Sequence, residues 1–172
     1  MTRRQARSFV SLCMGACLCL SLLLAQTAQA AATVKVTFPD PPRFTDAGPT
    51  QRDIANTTRG LSSHLTALGQ RLLADGDVLT IEILDIDLAG RIESTPQGRI
   101  RVTTGRSDWP RITLRFKLEG ASPLAGEEQV RDMNFQRRGG GISPSDPLRF
   151  ERRMLNEWFQ ARLIDRTPAP AR

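Results

Sequence analysis

"LTIEILDIDLAG", residues 79–90, decides how this chain folds. Leu79, Ile81 and Ile83 share one parity, and Leu84, Ile86 and Leu88 share the other. Side chains along a strand alternate between faces, so the apolar face changes side between Ile83 and Leu84. An unbroken strand would send Asp85 and Asp87 to the side of Ile81 and Ile83. Burying two unpaired carboxylates there would cost several kcal/mol. A β-bulge at Ile83–Leu84 removes the conflict, because one extra residue turns the following side chains over. Asp85 and Asp87 are then expected on an open, arginine-bearing face. Arg101, Arg106, Arg111 and Arg115 are their candidate ion-pair partners.

Working outward, "RITLRFKLE", residues 111–119, alternates cleanly. Ile112, Leu114, Phe116 and Leu118 face one way; Arg111, Thr113, Arg115, Lys117 and Glu119 face the other. Between the two stretches, "STPQG" reads as a turn, and "RIRVTT", residues 99–104, is expected to run back against residues 77–89 as a hairpin. "GEEQVRDMNF", residues 126–135, is a further strand. Upstream, "TVKVTF", residues 33–38, is a strand, and a proline- and glycine-rich loop follows it. Thr50 with Asp53 makes a T-x-x-D cap. It opens a helix whose Ile54, Leu61, Leu65, Leu68 and Leu72 lie on one face, with Gly76 beyond its end. After a glycine-rich loop, "RRGGGISPSD", Asp146 is expected to cap a last helix with Pro147 at its first position. Leu148, Leu155, Trp158, Phe159 and Leu163 form its apolar stripe. The fold class is α+β. The economical arrangement is a two-layer sandwich: a mostly antiparallel sheet of four to five strands, two helices on one face, and the other face open to water.

The first thirty residues read as an address. Arg3, Arg4 and Arg7 precede the uncharged run "FVSLCMGACLCLSLLLA", and "AQA" at 28–30 is a small-x-small cleavage pattern. That order marks a secretory signal peptide cut after Ala30. A retained anchor fits less well, since the run falls short of about 20 apolar residues. "MGAC" is a poor lipoprotein site, and the leucine-rich run suits the general secretory route better than a twin-arginine one. Residues 1–30 are therefore expected to leave, 31–164 to form one domain, and 165–172 to be a disordered tail. Cys13, Cys17 and Cys19 all lie in the leader, so the exported domain has no disulfide and no thiolate site. The formal charge falls from +6 to +3 as the three leader arginines depart. Arginine far outnumbers lysine, which suits forked contacts to carboxylate or phosphate. A periplasmic protein meets little nucleic acid, so no nucleic-acid partner is expected. An envelope protein or an anionic envelope component is.

Several chemistries are excluded. His64 is the only histidine, so multi-histidine metal sites cannot be built. It sits beside the apolar stripe of the first helix and is expected to be packed and partly exposed. No G-x-S-x-G, phosphate loop or dinucleotide fingerprint is present, and no cofactor is expected. "RRGGGISPSD" is read as a connector rather than an anion site. A divalent metal on Asp85 and Asp87 would need more oxygen ligands, with Asp108 and Asp132 as the candidates. Phe116, Trp158 and Phe159 read as core, and Trp109 as packing at a strand entrance.

"VKVTFPDPPRFTD", "LTIEILDIDLAG", "DWPRITLRFKL" and "ERRMLNEWF" resemble, in order, the blocks of an exported Gram-negative bacterial family, domain-of-unknown-function family 3016. The resemblance runs from about Val34 to Leu163. It implies a small exported domain and supplies no catalytic residues. The leading expectation is a non-enzymatic binding or support domain that uses Asp85, Asp87, Arg101, Arg111, Arg115 and Lys117 on its open face. One rival is a metal-assisted hydrolase or transferase built on Asp85, Asp87 and Asp132. The other is a structural or stress-related domain without a specific ligand.

Overall fold

The computed structural model describes residues 30–105, 107–137 and 145–167. Residues 1–29, Arg106, most of the glycine-rich loop and residues 168–172 lie outside them. The protein has mixed α+β content: a four-stranded sheet, a separate two-stranded sheet and two helices.

Strand β1 (Thr33–Thr37) leads through helix α1 (Gln51–Leu72) into β2 (Val78–Asp87), and β1 and β2 pair in parallel. Parallel neighbours need a crossover, and α1 supplies it. Thr50 caps α1 as its T-x-x-D pattern predicts: its hydroxyl accepts from the Asp53 N–H at 3.2 Å and donates to the Asp53 carboxylate at 2.6 Å. Leu61, Leu65 and Leu68 of α1 are buried. Gly69 lets the helix approach β1 closely, since a Cβ there would stand 2.2 Å from Val34 Cγ2.

β2 then pairs antiparallel with β5 (Arg111–Glu119), and β5 with β6 (Leu124–Arg131), giving the order β1-β2-β5-β6. The β2–β5 register slips between Ile83 and Asp85, where the sequence phase changes. Ile83 and Ile86 are both fully buried, while Asp85 and Asp87 turn to the other face, so the bulge is present. Ile112, Leu114, Phe116 and Leu118 face inward as expected.

The hairpin is a correction. "RIRVTT" does not pair with residues 77–89: Gly98–Val102 (β4) pairs with Arg91–Thr95 (β3) as a two-stranded sheet of its own. Gly90, at φ 84, turns the chain out of β2 into β3. β2 is already paired on both edges, so no edge remains for β4. β6 also begins earlier and ends earlier than expected, and residues 132–137 form turns.

Helix α2 spans Arg149–Phe159 and runs on into a π-helical turn, Gln160–Ile164. Asp146 does not cap it in the expected position. Its carboxylate accepts from the Leu148 N–H at 2.9 Å, and Pro147 sits in a turn ahead of the helix. Residues 165–167, at the start of the expected tail, are hydrogen-bonded back to Gln160 and Ala161. Leu155, Trp158, Phe159 and Leu163 join Leu61, Leu65, Leu79, Ile81, Leu114 and Phe116 in one apolar cluster. Trp158 stands edge-on to Phe116 at 5.4 Å between ring centres, and its indole N–H donates to Glu128 at 3.1 Å. Trp158, Phe116 and Phe159 are core, as expected. No helix among the described residues is long and apolar enough to cross a membrane.

Candidate functional site

The open face of the sheet comes first, because the sequence points there. Register places Lys35, Arg111, Arg115, Lys117 and Arg131 on it, against Glu82, Asp85, Asp87, Glu119 and Glu127. Five cations therefore meet five acids, and most are already engaged. Asp87 pairs with its cross-strand partner Arg111, whose Nε donates at 3.0 Å. Arg115 bridges Glu127 at 2.9 Å and Glu82 at 2.7 Å, and these carboxylates, Glu127 foremost, raise the guanidinium pKa further. Lys117 holds Glu119 at 2.7 Å. Asp85 does not find an arginine. Its two oxygens accept from the N–H and hydroxyl of Thr45, at 2.7 and 2.8 Å, which ties the loop before α1 to the sheet.

Arg101 is also not on this face. It forks onto Asp46 at 2.8 and 3.0 Å, a pair that sequence reading missed because 55 residues separate the partners. The third acid of the metal reading is elsewhere again. Asp132 continues the inward side of β6 and is 7% exposed, with Arg153 at 3.5 Å. The sheet lies between it and the other two. Among the described residues no group of three His, Cys, Asp or Glu is placed to hold a metal ion. His64 packs at the α1–α2 contact. One ring nitrogen stands 3.2 Å from the Arg152 carbonyl, which only accepts, so that nitrogen carries the proton. Burial first, then the nearby Arg152 charge, lowers the pKa of His64.

A second region was not expected. A cleft of about 450 Å³ opens where the loop before α1, the first turns of α1, the end of β2, the β3–β4 hairpin and the start of α2 converge. Arg99 and Arg101 enter it from β4 and Arg149 from α2; Asp53, Asn56 and Thr57 enter from α1. Leu88, Ile92, Leu148 and Phe150 supply an apolar wall. Arg99 donates to the Pro49 carbonyl at 3.1 Å, and the Arg149 guanidinium lies 4.2 Å over the Phe150 ring. The Arg101–Asp46 fork forms one side.

Behind the cleft wall lies Glu151, only 1% exposed. Its Oε1 accepts from the N–H of Ala89 at 2.8 Å, joining the first turn of α2 to the foot of the hairpin. Its Oε2 is buried with no hydrogen-bond partner among the described residues. Burial pushes its carboxyl pKa up, while the Ala89 N–H and the charges of Arg101 and Arg149 pull it back. A sequence signal for Glu151 existed. It follows Leu148 by three residues and precedes Leu155 by four, so it shares the apolar stripe of its helix.

With the geometry in place, comparison with known families is informative. The family described as Protein of unknown function (DUF3016) matches residues 32–161, well over half of the 172 residues. The chain belongs to the DUF3016 family. The DUF3016 match runs from the start of β1 past the end of α2, so the open face and every residue lining the cleft lie inside it. No curated protein and no solved structure matches the chain significantly.

Proposed function

We propose that this DUF3016 protein is an exported, non-catalytic binding domain of the bacterial envelope, and that the cleft, not the open sheet face, takes its anionic partner. The leader argues for export to the periplasm. The architecture is read as a two-layer sandwich, with the helices and core on one side of the sheet. The observation that carries the reading is that Arg99 and Arg149 line one concave surface beside an apolar wall, with Arg101 held on Asp46 at its edge. Concave, half-apolar sites with a few convergent polar groups are what small ligands fill, and guanidinium forks suit carboxylate, phosphate or sulfonate heads. On the open face the same residue type is neutralised by neighbouring acids.

Calorimetric titration with sulfate and with propanesulfonate tests this. Saturable binding is expected, tighter for the sulfonate with its apolar tail. Hydrogen bonds to charged groups are each worth about 1.5–3 kcal/mol. Arg99→Ala with Arg149→Ala should therefore weaken binding at least about tenfold. Arg115→Ala with Lys117→Ala should leave it unchanged. The opposite result would return the site to the open face.

A further inference from the structure

We propose that anion binding in the cleft is coupled to proton uptake by Glu151, so that the protein holds its anion more tightly as the pH falls. This rests on the cleft reading above and assigns that site its regulation. The geometry supplies the coupling. Glu151 is enclosed between the two elements that bring arginines to the cleft, the hairpin and α2, with one oxygen on the Ala89 N–H and the other without a partner. A buried polar atom left unpaired in a native fold calls for an explanation, and a proton-carrying role is one.

The charges that act on it are few. Arg101 faces it from β4 and Arg149 from its own helix. The loop before α1 brings Asp46, which is held on Arg101, and α1 brings Asp53, which is held by the Thr50 cap. β2 contributes only the Ala89 N–H. In the empty cleft the two guanidinium charges favour the carboxylate, and burial opposes it. Arg101 is held on Asp46, so the anion seats on Arg99 and Arg149 and cancels part of the Arg149 field. The burial penalty then dominates, and the carboxylate takes a proton. Coupling is reciprocal, so a protonated Glu151 strengthens anion binding by the same factor. Affinity then rises by up to about tenfold per pH unit as the pH falls between the bound and free midpoints.

Sulfate is the probe, because it does not titrate near neutrality. Titrations of the purified protein in buffers of different ionisation enthalpy should show a fractional proton taken up per sulfate bound. Glu151→Gln should abolish that uptake, and His64→Gln should keep it. Sulfate binding without proton uptake, or uptake that survives Glu151→Gln, overturns the coupling and leaves the cleft reading intact. Should Glu151→Gln fail to fold, the carboxyl carbon of Glu151 followed by NMR in the unsubstituted protein decides. Its titration midpoint should rise when sulfate is added, and an unmoved midpoint overturns the proposal. Absence of sulfate binding overturns the cleft reading, and this inference with it.

Discussion

The open sheet face and the cleft are both arginine-bearing, yet they answer their arginines differently. On the sheet, acids alternate with bases across neighbouring strands, as with Asp87 opposite Arg111 and Glu127 opposite Arg115. The result is a solvated ladder of ion pairs with no excess of either sign. In the cleft the arginines come from a hairpin and a helix that are distant in sequence; Asp46 holds Arg101, and Glu151 is buried behind the wall. The abundance of a residue type says little about binding. The placement of its counter-charges decides.

The largest effect should arise beneath both regions. Phe159 and Leu155 are fully buried and belong to the cluster that joins α2 to the sheet. Phe159→Ala should cost about 3–5 kcal/mol and Leu155→Ala about 2–5 kcal/mol, through lost burial and the cavity left behind. Denaturant titration measures this. A loss under about 1 kcal/mol would mean that α2 is not anchored on the sheet, and the cleft would lose one wall.

Next comes the contrast between two ion pairs. Arg101–Asp46 is a bidentate fork with both side chains about three-quarters enclosed, 23% and 24% exposed. Asp46 also bridges to the end of β2 through backbone bonds with Ile86 and Leu88. Asp46→Asn should cost about 1.5–3 kcal/mol. It should also loosen the hairpin, which hydrogen exchange at Ile92 and Val102 would report. Equal costs for Asp46→Asn and Asp87→Asn would break the comparison.

pH separates the regions more finely. Glu151 holds its proton more tightly when folded than when unfolded, because burial raises its pKa. Between those two values the folded state binds more protons, so stability falls as pH rises. His64 is shifted downward and works the other way: its contribution is lost as pH falls through the usual histidine range toward the folded value. The wild-type profile therefore mixes two opposed slopes. The difference between Glu151→Gln and wild type isolates one of them and should grow in favour of the variant with rising pH. Urea titrations from about pH 4 to about pH 8 would show it. A flat difference would mean that Glu151 is not protonated on folding.

What the sequence disclosed follows from how far apart the interacting residues are. The alternation of residues 111–119, the Thr50 cap and the phase change at Ile83–Leu84 are local patterns, and each has its structural counterpart. Asp87–Arg111 was within reach because the two strands were recognisable. Thr45 for Asp85 and Asp46 for Arg101 were not, since a loop of no periodic pattern supplies both partners. The β3–β4 hairpin was missed because "GRIE", residues 90–93, was assigned to no strand, and with it went one wall of the cleft. A cavity assembled from five segments has no sequence pattern of its own.

The smallest effects should be on the open face. Asp87→Asn should cost on the order of 0–1 kcal/mol, since its partner Arg111 is 40% exposed, and less at high salt, and Asp85→Asn about 1 kcal/mol, since an amide keeps one acceptor for the two bonds from Thr45. Calcium, magnesium or manganese should leave the melting temperature unchanged. The two carboxylates are adjacent on one face, but Asp85 spends both oxygens on Thr45 and Asp87 is held by Arg111. A divalent ion would have to break these bonds and would find the third acid, Asp132, on the other side of the sheet. A hard cation wants six or more oxygens at short range, which this surface does not gather. Stabilisation follows binding to the folded state by mass action. A saturable rise in melting temperature that disappears in the Asp85→Asn, Asp87→Asn double variant would show that the ladder can be exchanged for a metal. The open face, not the cleft, would then be the place to look for chemistry.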